Sequence, residues 1–288
     1  MVGNEGAAQT AAALGRLLPQ LALLLDFDGT LSPIVADPDA ARADPAAAEG
    51  LARLAPSAAL LACVTGRPAL TARRLLGVPE IAYTGLHGAQ VLVPGADTPA
   101  TPAAFAADGA KVHAIVDAAA AEPEGLAGLE VEDKGPIVAL HWRNVADPAT
   151  AERRAQQLAG RAREAGLRSG EGRCVLELRP ALEVTKGDGA RALIEAVPAV
   201  RHALFAGDDV TDLDAFAALR ALVDEGRLDS VTLVAVQGEG APAQVAAAAD
   251  VVVPSPAALG AFLSAIADAA APVSSPDQPD QPDQPREA

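Results

Sequence analysis

The sequence predicts an α/β fold, a Rossmann-like parallel sheet core with an inserted α/β cap domain. Two observations predict it. Short apolar runs alternate with Ala-rich amphipathic stretches through most of the chain, the pattern of parallel strands linked by helical crossovers. Between about 105 and 182 that alternation gives way to a compact α-β-β-α-β-β unit.

Strand candidates are 21–26, 59–64, 81–84, 202–206, 231–236 and 250–253. Helix candidates follow them at about 45–55, 68–76, 187–197, 211–219 and 256–268. In the divergent segment a helix over 103–121 leads to LEVEDKGPIVALHWR, read as two strands joined by a Lys134-Gly135-Pro136 turn. A helix over 148–165 and two short strands ending in CVLELRP complete it. His141 and Trp142 lie on the second hairpin strand and are expected on opposite faces. The expected organisation is a core of residues 1–106 and 183–270 and a cap of residues 107–182. The remaining residues, 271–288, repeat PDQ three times with little to bury, and read as a disordered acidic tail. An insert that leaves and re-enters the sheet can lie over the carboxyl ends of the strands as a lid.

Composition narrows the function. The formal net charge of -16 argues against nucleic acid and against an anionic membrane surface, because both draw on Lys and Arg. A phosphorylated small molecule stays admissible where cations converge locally. Aromatics make up 2% of the 288 residues, so the core must be built from Ala, Leu and Val. Cys63 and Cys174 show no CxxC spacing, and both are expected as buried thiols in strand-like stretches. MVGNEGAAQT lacks a signal-type pattern and LALLL is too short to span a bilayer, which predicts a cytoplasmic protein, taken as a monomer.

Ligands of such sheets bind outside the carboxyl ends of the strands, so chemistry is sought there. Asp26 and Asp28 end the first strand in DFDGT, and the period of two would turn both carboxylates to one side. Neighbouring carboxylates repel, which calls for a cation or a shared proton; Asp-Gly-Thr is also good turn chemistry. Thr65 ends the next strand in VTGRP, where a hydroxyl and free N–H groups suit either a phosphoryl oxygen or a helix cap. Lys186 precedes a helix, as a solvated residue or as a charge beside phosphate. GDDVTDLDAF carries Asp208, Asp209 and Asp212 after another strand, a set that suits magnesium or a helix N-terminus.

DFDGT, the Thr65 motif, Lys186 and GDDVTD, in that order, resemble the four motifs of the haloacid-dehalogenase superfamily of phosphotransferases. A narrower resemblance covers residues 20–265. DFDGTLSPI, GLHG at 85–88, Glu132–Arg143, ELRP at 177–180, TKG and GDDVTD are similar to the trehalose-6-phosphate phosphatases. The resemblance implies Mg2+-dependent hydrolysis of a sugar phosphate, with Asp26 as nucleophile and Asp28 as acid and base. It implies Thr65 and Lys186 on the phosphoryl oxygens, and Mg2+ on Asp26, the Asp28 carbonyl and Asp208, with Asp209 and Asp212 in support. The sugar hydroxyls would meet Glu132, Lys134 and Glu177, with Arg143, Arg179 and His87 as further candidates. Two positions depart from the pattern: Leu213 replaces a Glu, and Phe27 stands where Tyr is common.

Overall fold

A computed structural model of the chain describes residues 4–143, 145–172, 174–238 and 240–270; the tail expected over 271–288 lies outside them. The chain opens with α1 (Asn4–Gly15), β1 (Leu21–Leu25), α2 (Pro45–Leu54), β2 (Leu60–Val64), α3 (Ala69–Leu76), β3 (Ala82–Gly85) and β4 (Gln90–Leu92). The divergent segment follows as α4 (Ala103–Ala120), β5 (Glu130–Asp133), β6 (Val138–His141), α5 (Pro148–Glu164), β7 (Arg168–Gly172) and β8 (Val175–Arg179). It returns through α6 (Lys186–Ala196), β9 (His202–Gly207), α7 (Asp212–Asp224), β10 (Ser230–Val236), α8 (Ala243–Ala248), β11 (Val251–Val253) and α9 (Pro256–Asp268).

The larger sheet runs β11-β10-β9-β1-β2-β3-β4, parallel throughout except where β4 pairs antiparallel with β3. From β1 the chain builds outward through β2 and β3, then returns to β9 on the other side of β1. That reversal opens a crevice beyond the carboxyl ends of β1 and β9, the place where such sheets bind ligands. Alternation along β1 supplies both faces of the core. Leu21, Leu23 and Leu25 pack with α1, α2, α3 and α9, whereas Ala22 and Leu24 pack with α6, α7 and α8.

The smaller sheet is antiparallel, in the order β5-β6-β8-β7. One face, including Val138, Leu140, Leu176 and Leu178, is covered by Val112, Val116, Ala155 and Leu158 of α4 and α5. Trp142 is buried in this cluster while His141 stays half exposed, as the alternation predicts. The uncovered face carries a cross-strand row of Glu132, Ala139, Glu177 and Gly170. The two layers meet through a small apolar cluster of Leu86, Ala89, Phe105 and Ile137.

The α-β-β-α-β-β unit has the expected order, with element ends within a residue or two. Among the α-helices and strands, the sequence pattern does not predict α1, the antiparallel β4 or α8. Each is short or Ala-rich, so local periodicity says little about it. The expectation for Cys174 needs correction. Cys63 is buried in β2, but Cys174 is half exposed, at φ +59° in the turn before β8. Among the described residues no helix is long and apolar enough to cross a membrane.

Candidate active site

Strand β1 stops at Leu25, although the Asp26 N–H still donates to the Ala206 carbonyl at 2.9 Å. A tight turn follows, in which the Leu31 and Ser32 N–H groups both donate to the Phe27 carbonyl and Gly29 adopts φ +82°. Glycine is needed there twice over, for its positive φ and because a Cβ would lie 2.0 Å from the Asp208 carboxylate. Asp26 and Asp28 both line the cavity beyond the strand end, but each meets a different cation.

Asp26 is buried, 4% exposed, and its Oδ1 lies 2.8 Å from the Lys186 Nζ. Lys186 is 3% exposed and donates equally to Asp212 Oδ1 at 2.7 Å. Burial pushes the Asp26 carboxyl well up, against the pull of Lys186. Asp208, which follows β9, is pushed up by burial to about 6 although the Thr30 hydroxyl donates to its Oδ1 at 2.9 Å. Oxygens of Asp26, Asp208 and Asp212 lie within 4.8 Å of one another. One ammonium among three buried carboxylates leaves negative charge uncompensated, so the donor set fits a hard divalent cation. Asp212 is the least free of the three to bind one. Its Oδ2 accepts from the N–H groups of Asp208 and Asp209, and its Oδ1 holds Lys186. Asp209 lies outside this group, exposed, with its Oδ1 accepting from the Val210 N–H.

Thr65 follows β2 and is buried, its Oγ1 accepting from the Arg67 N–H at 3.2 Å. That leaves the hydroxyl hydrogen free to donate. It does not cap α3, whose first N–H, on Ala69, donates instead to Gln90 Oε1 from β4. His87 closes this side at φ +59°, its N–H donating to the Thr65 carbonyl and its ring resting on Gly66. Burial lowers its imidazole to about 4, so the ring is neutral at pH 7. Asp26, Asp28, Thr65, His87, Lys186, Asp208 and Asp209 all line one cavity of about 660 Å³.

Asp28 and His87 also line a second, larger cavity, of about 930 Å³, which extends up to the smaller sheet. Glu132, Lys134, Arg143 and Glu177 line its far wall. Alternation brings Glu132 and Glu177 to one face with the small Ala139 between them. Lys134 reaches into the gap, 2.8 Å from Glu177 Oε1 and 3.6 Å from Glu132 Oε2. Burial alone would raise the Glu177 carboxyl, but Lys134 and Arg179 outweigh it and hold it at about 2. Arg179 braces Glu177 from the side and does not line the cavity.

Three residues that the sequence reading did not single out for a role belong to this geometry. Arg67 forks onto both Asp28 oxygens at 2.6 Å. His141 contacts Glu132 Oε2 at 2.9 Å, and Thr30 holds Asp208. Only the Arg in VTGRP, immediately after a strand-end Thr-Gly, offered a local signal. The other two depend on pairing across the fold.

The trehalose-phosphatase family matches residues 24–246. A trehalose-phosphate phosphatase of Mycobacterium marinum is 38% identical over 218 residues, covering 72% of this chain and 54% of the relative. A trehalose-phosphate phosphatase of Mycobacterium ulcerans is 37% identical over 222 residues, with the same coverages of 72% and 54%. The chain therefore spans about half the length of the curated relatives it matches. Among solved structures, Aspergillus fumigatus trehalose-6-phosphate phosphatase superposes with a TM-score of 0.61 at 24% identity, over 91% of this chain and 98% of that one. A haloacid dehalogenase-like hydrolase from Bacteroides thetaiotaomicron gives 0.59 at 14% identity, over 85% and 98%. These two likenesses establish the fold. The family match takes in every residue placed above, from Asp26 to Asp212, and on it this chain belongs to the trehalose-phosphatase family.

Proposed function

We propose that this chain hydrolyses trehalose 6-phosphate to trehalose and inorganic phosphate, with Asp26 as nucleophile and magnesium as cofactor. The observation that carries the reading is the junction of two cavities at Asp28. A small one around Asp26, Thr65 and Lys186 suits a phosphoryl group, and a large one lined by carboxylates, Lys and Arg suits a polyhydroxylated leaving group. Residues 107–182 would act as the cap over a core of residues 1–106 and 183–270.

In the first step an Asp26 carboxylate oxygen attacks phosphorus, the bond to the sugar oxygen breaks, and Asp28 delivers a proton to that oxygen. In the second, Asp28 takes a proton from water as the water attacks the aspartyl-phosphate, releasing phosphate and restoring Asp26. Lys186 has three N–H donors, and with Asp26 and Asp212 taking two, the third is available to a phosphoryl oxygen. Thr65 donates its hydroxyl hydrogen to another. Asp26, Asp208 and the Asp28 carbonyl would hold Mg2+, with Asp209 nearby. The ion would add positive charge beside the phosphoryl oxygens. Glu132 and Glu177 accept from sugar hydroxyls, and Lys134, Arg143 and a neutral His87 supply donors. Arg179 serves by orienting Glu177.

Phosphate release from a panel of sugar phosphates, with and without Mg2+, tests the reading. Trehalose 6-phosphate should be turned over far faster than glucose 6-phosphate; equal turnover of the two sinks the substrate assignment and favours a phosphatase of hexose, sucrose or glucosylglycerol phosphates. Glu132→Ala should raise KM for trehalose 6-phosphate about tenfold with a small change in kcat, because the lost contact is to the leaving group away from phosphorus. Unchanged KM would remove Glu132 from the binding site. Mg2+ at about one hundred times its Kd should stabilise the chain by about 2.7 kcal/mol, reversed by EDTA. Protons compete with the metal for Asp208, whose carboxyl sits near 6, so the stabilisation should shrink as pH falls from 8 to 5.5. A thermal-shift series at the two pH values measures it.

A further inference from the structure

Arg67 has no task in the reaction as proposed, yet its guanidinium is engaged on every side. Nε donates to Asp28 Oδ2 and Nη2 to Asp28 Oδ1, both at 2.6 Å, in a bidentate fork. Nη1 donates to the Pro38 carbonyl at 2.8 Å. The guanidinium carbon lies 5.5 Å from the centroid of the Phe27 ring, a cation–π contact beneath the fork. The Arg67 backbone is equally fixed, its N–H on Thr65 Oγ1 and its carbonyl accepting from the Leu86 N–H. Asp28, by contrast, stands on a turn with its side chain 41% exposed. Arg67 supplies side-chain hydrogen bonds to both of its oxygens.

We infer that Arg67 is a positioning residue, which aims the Asp28 carboxylate at the leaving oxygen and ties that aim to the Pro38 segment. The inference rests on Asp28 being the acid and base of the proposed reaction. A fork on two oxygens fixes the plane of the carboxylate, so its remaining lone pairs face the junction of the two cavities. The third bond matters because Ala36, Asp37, Pro38 and Asp39 form the core-side wall of the leaving-group cavity. Movement of that wall is thereby transmitted to the acid. Lysine cannot reproduce the arrangement, since one ammonium cannot span two carboxylate oxygens in a plane and a carbonyl beyond them.

The test compares two esters with the full-length chain, wild type, Arg67→Gln and Arg67→Lys. The alkoxide of an alkyl phosphate leaves poorly without a proton, whereas p-nitrophenolate departs from p-nitrophenyl phosphate unaided. Misaiming the acid should therefore lower kcat/KM for the alkyl ester about tenfold or more beyond its effect on the aryl ester. Arg67→Lys should show most of the same loss. A purely structural role would lower both esters alike, and a ratio within about twofold of wild type overturns the inference. The alkyl ester is trehalose 6-phosphate, or glycerol phosphate should the wild type prefer it; that preference would sink the substrate assignment and leave this inference standing. A crystal structure of Arg67→Gln gives a readout independent of turnover. The Asp28 carboxylate should leave its present plane, and finding it unmoved also overturns the inference.

Discussion

Asp26→Asn is expected to lower phosphate release by about 10⁴-fold or more while leaving the chain folded. The amide matches the carboxylate in shape and can still accept from Lys186, but it cannot form the acyl-phosphate bond. Stability should be equal to or greater than that of the wild type. Burial raises the Asp26 carboxyl well above its unfolded value. A raised carboxyl stabilises the fold below its unfolded pKa, and that contribution is lost as pH rises through the folded value. The ionised form of a carboxyl so raised costs stability that Asn does not, and Lys186 keeps Asp212 as a partner. Urea unfolding at pH 7 and a phosphate-release assay on one preparation separate the two effects. Retained turnover refutes Asp26 as nucleophile, and a stability loss beyond about 1 kcal/mol refutes the account of its burial.

Lys186→Met should be the most destabilising single change at the site. The ammonium sits between Asp26 and Asp212 at 2.8 and 2.7 Å, with both carboxylates buried. Desolvation works against its charge, and the two carboxylates outweigh it, holding the ammonium above its usual range. Removing it leaves two uncompensated carboxylates beside Asp208, at a cost of about 3–5 kcal/mol. The methionine fills most of the stem's volume, so little of the loss comes from packing. The deficit should shrink as pH falls and those carboxylates take up protons, and Lys186→Met/Asp212→Asn should recover part of it at pH 7. Turnover should fall about 10³-fold or more, because a donor to the phosphoryl oxygens is lost with the brace. A Lys186→Met chain as stable as wild type at pH 7 would falsify the buried-network account.

The departures from the family pattern are structurally mild. Leu213 packs at the edge of the core cluster between the sheet and α6 and α7. Phe27 is fully buried and carries Arg67 over its ring.

Much of this protein follows from local sequence. Apolar runs alternating with amphipathic stretches determine a parallel sheet, because strands buried on both faces need helical crossovers to cover them. The strand-end positions of Asp26, Thr65 and Asp208, and Lys186 at the start of its helix, follow from the same pattern. Tertiary structure alone decided how the charges are shared. Asp26 meets Lys186 and Asp28 meets Arg67, partners that a period of two cannot name. Asp212, in sequence one more acid at a helix start, becomes the brace of Lys186, held by two backbone N–H groups and the ammonium itself. Glu132 and Glu177 lie 45 residues apart in the chain, and only the antiparallel register across Ala139 makes them neighbours. Sequence periodicity sets which way a side chain points within its own element. Which cation it meets there depends on strand order and register, and these are settled when separate elements bury their apolar faces together.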